Sequence, residues 1–222
     1  MTRFSETVIE EVDPIWRRIF NHPFLHELAN GTLPVEKFRY YISQDHTFLF
    51  DYCRFLGLAI PRSRSLEQMR YLSDMLHSEF TLEIDMQREL AKKVGLSIQD
   101  MEATEASPTT LAYTSYLIRT ASTGSIGEIF AALAPCPLTY TELAAKLDAR
   151  GIEKVPAYTN WLQTYKSVET REICEKLKEL LDNLGKEATE DQRLRMSKSF
   201  LTASRYEYLF WQMAYTLEKW PV

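Results

Sequence analysis

Apolar residues recur at helical spacing along almost the entire chain of 222 residues. The first stripe consists of Phe4, Val8, Ile9, Val12, Ile15, Trp16 and Ile19. Such a stripe, with acidic residues opposite, is typical of an amphipathic helix that packs on a core. No segment shows the sustained alternation of apolar and polar residues that a half-buried strand requires. The pattern therefore predicts an all-α protein.

Proline, glycine and capping residues divide this pattern into separate helices. The predicted helices cover residues 3–20, a short piece that ends at Asn30-Gly31, and then 34–60, 65–94, 108–122, a segment from Ser125 up to Pro135, 137–149, 156–184 and 187–219. Neither a low-complexity linker nor an internal repeat separates parts of the chain. We therefore expect a single domain over residues 1–222, folded as one helical bundle.

The charge balance and the apolar segments exclude several classes of protein. The chain has 26 basic and 31 acidic residues, and no run of Lys or Arg suggests a nucleic-acid site. No apolar run is long enough to span a membrane, and the N-terminus does not resemble a signal peptide. The three cysteines have spacings unlike any zinc motif. We expect a soluble, cytoplasmic protein with reduced thiols and neither nucleic acid nor a membrane as a partner.

A carboxylate lies in the middle of an aromatic helix face. Tyr41, Asp45, Phe48 and Tyr52 share one face of helix 34–60. Because that face is aromatic, it should point toward the core, where a carboxylate needs a partner or a ligand. Two interpretations stay open: Asp45 bonds to a neighbouring helix, or it binds a ligand in a cleft.

Glu207 raises the same question in the last helix. Trp211 and Tyr215 follow it at i+4 and i+8, and Phe200 and Ser204 precede it on the same side. Desolvation by such neighbours would raise the pKa of Glu207, so that the carboxyl could hold a proton near neutral pH. An exposed glutamate at the edge of an amphipathic face would give the same pattern, and this alternative stays open.

Cys136 lies between two prolines in the segment Ala134-Pro135-Cys136-Pro137. Pro135 predicts a bend at Ala134, and Pro137 predicts an extended Cys136 that caps a helix starting at Pro137. A thiol near the unpaired N–H groups of a helix N-terminus would ionise readily, and Tyr140 follows one turn later on the same side. The alternative is a small buried thiol beside a kink.

The remaining candidates have weaker signals. Tyr113, and Tyr165 four residues after Trp161, are candidate pocket residues, although single tyrosines also occur at the edges of ordinary cores. No motif surrounds Cys53 or Cys174, and we expect both to be buried fillers. The sequence lacks the pair of Glu-x-x-His motifs that a di-iron bundle requires, so we expect neither a metal nor another cofactor.

Together these residues resemble the TenA (thiaminase II) family, which has the heme-oxygenase-like helical fold. The likeness extends over essentially the whole chain and depends on the order and spacing of short motifs. The motifs are His22-Pro23-Phe24, Gly31-Thr32-Leu33-Pro34, Phe38-x-Tyr40-Tyr41, Gln44-Asp45, Ser107-Pro108-Thr109, Tyr113-Thr114, Pro135-Cys136 with Tyr140, Tyr158-x-x-Trp161 with Tyr165, Tyr206-Glu207-Tyr208, Phe210-Trp211 and Met213-Ala214-Tyr215.

The resemblance implies an aminopyrimidine aminohydrolase, or thiaminase II. Such an enzyme hydrolyses 4-amino-5-aminomethyl-2-methylpyrimidine, and thiamin, to 4-amino-5-hydroxymethyl-2-methylpyrimidine in thiamin salvage. The family also implies a homo-oligomer, typically a tetramer, that acts without a cofactor. Two alternatives remain open: a cofactorless oxidase or metal oxygenase on the same fold, and a non-catalytic regulatory protein that binds pyrimidines.

The resemblance also implies roles for individual residues. Cys136 would be the nucleophile and Glu207 the proton donor to the pyrimidine ring, whose C6 then accepts the thiolate. The substrate-binding residues would be Asp45, which accepts from the 4-amino group, Tyr113, Tyr140, Tyr165 and Phe48. Many members of the family have, in place of Phe48, a tyrosine that helps activate the cysteine. Here that activation would come from Tyr140, from the helix N-terminus or from another group.

Overall fold

The computed structural model describes residues 3–150, 161, 163 and 165–222, and every regular element within them is helical. The helices are α1 (Phe4–Phe20), α2 (Pro23–Asn30), α3 (Val35–Ala59), α4 (Leu66–Ser78), α5 (Ile84–Lys93), α6 (Ile98–Glu102), α7 (Pro108–Thr123), α8 (Ile126–Leu133), α9 (Pro135–Arg150), α10 (Val168–Glu187) and α11 (Glu190–Thr216). A 3-10 turn, Ile60–Arg62, follows α3, and a π-helical segment, Glu79–Glu83, joins α4 to α5. The predicted all-α class is confirmed.

Hydroxyl side chains define where six of these helices begin. Each accepts a hydrogen bond from the backbone N–H three residues later: Ser65, Ser97, Ser107, Ser125, Ser167 and Thr189. This bond satisfies one of the N–H groups that a helix start leaves without an intrahelical acceptor. Gly31 ends α2 in the left-handed region, with φ of 69°, where glycine has no Cβ penalty.

Helix α11 contacts α1, α3, α7, α8 and α9, and its stripe is buried from Phe200 to Trp211, whereas Tyr215 is half-buried. The aromatic face of α3 is also buried, with Tyr41, Phe48 and Tyr52 each at most 4% exposed. Both faces therefore point into the core, as the sequence predicts. None of the described helices is long and apolar enough to cross a membrane.

Two predicted helices differ in the structure. The helix expected over 65–94 is interrupted by the π-helical segment Glu79–Glu83, which inserts an i to i+5 hydrogen bond from Ile84 N–H to the Glu79 carbonyl. The helix expected over 156–184 is not continuous: its described part has a break before Ser167, which caps α10. Residues 156–160 of that prediction, with Tyr158, lie outside the described residues.

Gly185 of α10 lies against Phe4 of α1. A Cβ added to Gly185 would lie 2.6 Å from the Cβ of Phe4. We expect Gly185→Ala to lower the free energy of unfolding by about 1–3 kcal/mol, because backbone must move to make room. Gly57→Ala in α3 is the control: its Cβ would meet nothing within 4 Å. It should stabilise the protein by about 0.5–1 kcal/mol through helix propensity. Urea unfolding measures the free energy of unfolding of both variants. An unchanged value for Gly185→Ala would contradict the close packing of Gly185 against Phe4.

Candidate active site

A cavity of about 530 Å³ is lined by residues of α3, α4, the π-helical segment, α7, α9, α10 and α11. All the residues that the sequence singled out as site candidates line it: Asp45, Phe48, Tyr113, Cys136, Tyr140, Tyr165 and Glu207. They come from chain segments that are far apart in sequence, so the fold brings the thiol, two carboxyl groups and the aromatic wall together at one place.

The prolines beside Cys136 do not force the backbone out of the helical region, which corrects the sequence prediction. Helix α9 begins at Pro135, and both Cys136 and Pro137 belong to its first turn. Ala134 is not bent into an extended form, since its φ of −65° and ψ of −37° are helical. The N–H groups of a first helical turn have no intrahelical acceptor, so prolines there cost no hydrogen bond.

The prediction of a readily ionised thiol is also wrong for the structure. Burial raises the pKa of Cys136 well above its usual value, and the charges of nearby carboxylates, first Glu207 and then Glu79, raise it further. Both effects oppose the N-terminal end of α9, whose N–H groups favour the thiolate. A positive charge bound among the carboxylates would act in the opposite direction and favour the thiolate.

Glu207 is buried inside the bundle rather than at the edge of an exposed face. Its side chain is 3% exposed, and its Oε1 accepts a hydrogen bond of 2.6 Å from the hydroxyl of Tyr113. Burial raises the pKa of Glu207 to about 7, although hydrogen bonds from Tyr113 and Thr139 act to lower it. The carboxyl can therefore give or take a proton near neutral pH, as the aromatic stripe suggested.

Asp45 bonds to a neighbouring helix and also lines the cavity. The two interpretations from the sequence, a bond between helices and a ligand-binding carboxylate, are therefore compatible. Its side chain is 6% exposed, and its Oδ2 accepts a hydrogen bond of 2.6 Å from Gln87 Nε2 of α5. The Oε1 atom of Gln87 lies 3.2 Å from Nδ1 of His46, which orients the amide. Burial, followed by the negative charge of Glu83, raises the pKa of Asp45 well above its usual value.

Aromatic rings form the wall around these polar groups. The ring of Phe48 packs 5.1 Å from that of Tyr113 and 5.5 Å from that of Tyr52, measured between centroids. The hydroxyl of Tyr140 lies 3.0 Å from the hydroxyl of Tyr41, so these two groups share a hydrogen bond. Rings with this arrangement can stack against a flat heterocycle and exclude water from it.

Sequence reasoning missed three carboxyl groups that also line the cavity: Glu79, Glu83 and Glu169, the last of which is exposed to solvent. Glu83 accepts a hydrogen bond from the Tyr165 hydroxyl, and Glu79 is 9% exposed. A signal for Glu79 was present, because it follows the buried Met75 at i+4 on the inner stripe of α4. Glu83 had no such signal, since its orientation depends on the π-helical segment.

Cys53 and Cys174 are buried free thiols, as expected, and neither lines the cavity. Among the described residues, no group of three or more His, Cys, Asp or Glu side chains is placed to hold a metal ion.

The chain matches the model of the TENA/THI-4/PQQC family over residues 9–217. It is 36% identical over 218 residues to the aminopyrimidine aminohydrolase of Halalkalibacterium halodurans, with 98% of this chain and 97% of that protein covered. The same name belongs to a Bacillus subtilis protein that is 32% identical, with 98% of this chain and 92% of that protein covered.

Solved structures share the fold. The TenA homologue from P. horikoshii OT3 superposes with a TM-score of 0.89 and is 29% identical, covering 97% of this chain and 99% of its own. A domain with a heme oxygenase-like fold from Shewanella denitrificans OS217 superposes with a TM-score of 0.79 over 96% of this chain and 92% of its own. At 13% identity this second likeness shows the fold alone. The family model spans nearly the whole chain, and this protein therefore belongs to the TENA/THI-4/PQQC family.

Proposed function

We propose that this protein is an aminopyrimidine aminohydrolase of thiamin salvage. Its preferred substrate is 4-amino-5-aminomethyl-2-methylpyrimidine, which it converts to the 5-hydroxymethyl compound and ammonia, and it also hydrolyses thiamin. Two relatives at 36% and 32% identity carry this enzyme name, and each alignment spans 98% of this chain, which supports the assignment.

One observation carries the proposal: a thiol and two carboxyl groups line the same aromatic cavity. Cys136 is the nucleophile, Glu207 exchanges a proton with the pyrimidine ring, and Asp45 binds the 4-amino group. The remaining contacts to the substrate come from Phe48, Tyr113, Tyr140 and Tyr165. Glu207 suits proton exchange because its pKa of about 7 lies near neutral pH.

The first step adds the thiol across a ring N=C bond. Glu207 gives its proton to the ring nitrogen next to C6, which makes C6 electrophilic. The sulfur of Cys136 then bonds to C6, and the thiol proton returns to the Glu207 carboxylate. The charge of Glu207 is the strongest that acts on the thiol, which supports this pairing. The product is a neutral dihydropyrimidine that is covalently bound to the protein.

The second step replaces the amine by water. The lone pair of the 4-amino nitrogen moves through C4 and C5 of the dearomatised ring, which forms a double bond from C5 to the exocyclic carbon and breaks the bond between that carbon and its ammonium group. Ammonia leaves, and a cationic methylene intermediate remains. Water then bonds to the methylene carbon and loses a proton to ammonia. Finally the sulfur leaves C6 and recovers its proton from the ring nitrogen through Glu207, which restores the aromatic ring and the thiol.

Asp45→Asn is expected to raise KM for the aminomethylpyrimidine by about 10-fold or more, because the carboxyl oxygen that accepts from the 4-amino group is lost. Gln87 Nε2 donates to one carboxyl oxygen. An asparagine would keep its oxygen toward Gln87 and turn its NH₂ group toward the substrate's own N–H donor. Steady-state kinetics measures the change. Glu36→Gln, an exposed change on the same helix away from the cavity, is the control, and an unchanged KM in Asp45→Asn would contradict the assignment.

A paired assay tests the function directly. The purified protein, without added metal, receives thiamin and the aminomethylpyrimidine in separate reactions. We expect ammonia to be released from the aminomethylpyrimidine faster than thiamin is cleaved. Activity that depends on added or copurified iron or manganese would favour the oxygenase alternative. Tight pyrimidine binding without any product over hours would favour a regulatory protein.

The proposal extends to assembly and location. The chain forms one domain over residues 1–222 and acts as a homotetramer in the cytoplasm. Exposed apolar side chains such as Leu66 and Leu194, each at least 69% exposed, supply surface for contacts between subunits. Three free thiols suit a reducing compartment. Light scattering on the purified protein tests the tetramer, and a monomer would contradict it.

A further inference from the structure

The cavity wall is strongly acidic. Among the described residues that line it, five carry a carboxyl group and none is Lys, Arg or His; the five are Asp45, Glu79, Glu83, Glu169 and Glu207. A cavity wall whose charges all have one sign, and which is partly shielded from water, attracts a ligand of the opposite charge. The pyrimidine ring engages Asp45 and Glu207 in the proposed function, and Glu169 is exposed to solvent. Glu79 and Glu83 are the shielded carboxyl groups that remain without a role.

Glu79 is buried without a partner for one of its oxygens. Its side chain is 9% exposed, and Oε2 has no hydrogen-bond partner among the described residues. Glu83, four residues later, accepts a hydrogen bond from Tyr165, which is itself a lining residue. A buried carboxyl oxygen without a donor is costly unless a ligand supplies one. Protonation of Glu79 reduces that cost but cannot satisfy both oxygens.

The π-helical segment gives both glutamates their orientation. A continuous α-helix would place Leu82, at i+7 from the buried Met75, on the inner side. In the structure Leu82 borders the cavity but is 59% exposed, whereas Ile84 is buried at 7% exposure. The extra residue in the π-turn therefore rotates the helix between Glu79 and Ile84, and both glutamates line the cavity. Single π-turns of this kind are frequent at functional sites.

We propose that Glu79 and Glu83 form a subsite for the cationic leaving group of the substrate. The subsite takes a primary ammonium group or a flat, positively charged heterocycle, and it rests on the proposed function above. An ammonium group can donate to both glutamates at once. The thiazolium ring of thiamin has no N–H donor and is held there by its charge and by the ring of Tyr165.

The chemistry of the ring places the leaving group beside these residues. The thiol attacks C6, and the departing group is attached through a methylene to C5, the adjacent ring atom. The leaving group must therefore lie close to the sulfur of Cys136. After Glu207, the carboxylates whose charges act most strongly on that sulfur are Glu79 and then Glu83. Asp45 comes after both, as expected for a group that binds the far side of the ring.

The electrostatics of the cavity agree with a cationic ligand. Burial and mutual repulsion raise the pKa of Glu79 well above its usual value, and burial also raises the pKa of Glu83. A bound cation would stabilise the ionised form of both glutamates and, through the same field, the thiolate of Cys136. A positively charged substrate would in this way favour the thiolate form of Cys136, which is the form that reacts.

Calorimetric titration with a matched ligand pair tests the subsite. The full chain with Cys136→Ser, which stops turnover, is titrated with the cationic aminomethylpyrimidine and with the neutral hydroxymethylpyrimidine. Glu79→Gln and Glu83→Gln are then introduced into the same background. We expect each change to weaken binding of the cation by about 10-fold or more and to leave the neutral ligand unaffected. Asp85→Asn removes an exposed charge from α5, directly after the π-helical segment, and should alter neither affinity.

A second measurement does not depend on the glutamine variants. The Cys136→Ser protein should bind thiamin more tightly than the neutral analogue in which carbon replaces the thiazolium nitrogen. Equal affinities for the charged and neutral members of both pairs would overturn the subsite and leave the proposed function intact. The subsite would also be overturned if Glu79→Gln and Glu83→Gln each lowered the affinity for both pyrimidines equally. If neither pyrimidine binds at all, the proposed function and the subsite fail together.

Discussion

Replacement of Cys136 by serine is expected to lower kcat for both substrates by at least about 10³-fold, the scale on which loss of an enzyme nucleophile acts. The sulfur must form and then break a bond to C6, and a serine hydroxyl is a poorer nucleophile and a poorer leaving group. The cavity keeps its carboxyl and aromatic groups in this variant, so affinity for the hydroxymethylpyrimidine should be essentially unchanged. Ammonia release and calorimetry measure the two quantities separately.

Cys53→Ser is the matched control for this experiment. Cys53 is buried in α3 but does not line the cavity, and burial raises its pKa to about 12. We expect the Cys53→Ser variant to retain turnover. A Cys136→Ser protein with native kcat would exclude the covalent route. Loss of both turnover and pyrimidine binding would instead point to a structural role for the thiol.

The sequence predicts the helices well because their signals are local. Apolar spacing and capping residues such as Ser107 and Thr189 act within one or two turns, and the predicted ends of α7 and α11 lie within three residues of the observed ones. The π-turn at Glu79–Glu83 was missed because its sequence continues a helical pattern. Only packing against the rest of the bundle decides that Ile84, and not Leu82, is buried.

The prolines around Cys136 show a different limit. A residue before proline prefers an extended backbone, but this preference is moderate. At Cys136 the backbone instead stays helical, as it does at Ala134 between α8 and α9. The thiol's ionisation was misjudged for a related reason. A helix N-terminus is visible in sequence, whereas Glu79, Glu83 and Glu207 gather around the sulfur only in three dimensions.

The residues of the candidate site were predicted more from the likeness to the family than from the spacing of apolar residues. The aromatic stripes located Asp45 and Glu207 on inward faces, and both are buried. Tyr113 and Tyr165 carried no distinctive local signal, and only the family likeness grouped them with Cys136. The structure adds the physical reason for their presence, since Tyr113 donates to Glu207 and Tyr165 to Glu83.

Glu207→Gln is expected to lower kcat/KM by about 10²–10⁴-fold, the usual contribution of a general acid. The side chain keeps its size and can still accept from Tyr113, so the loss reports the missing proton. In the native protein, activity requires protonated Glu207. With thiamin, whose leaving group carries a permanent charge, kcat/KM should therefore fall as pH rises through about 7. The glutamine variant should lack this descending limb.

Tyr113→Phe makes the assignment of that limb specific. The hydrogen bond from Tyr113 lowers the pKa of Glu207 against the effect of burial, so its removal should move the descending limb to higher pH. Stability gives an independent readout. An unfolded glutamate ionises near pH 4.3, so Glu207 makes the native state lose stability as pH rises from about 4.3 to 7. Glu207→Gln should reduce this slope. A limb that does not move in Tyr113→Phe would assign the titration to another group.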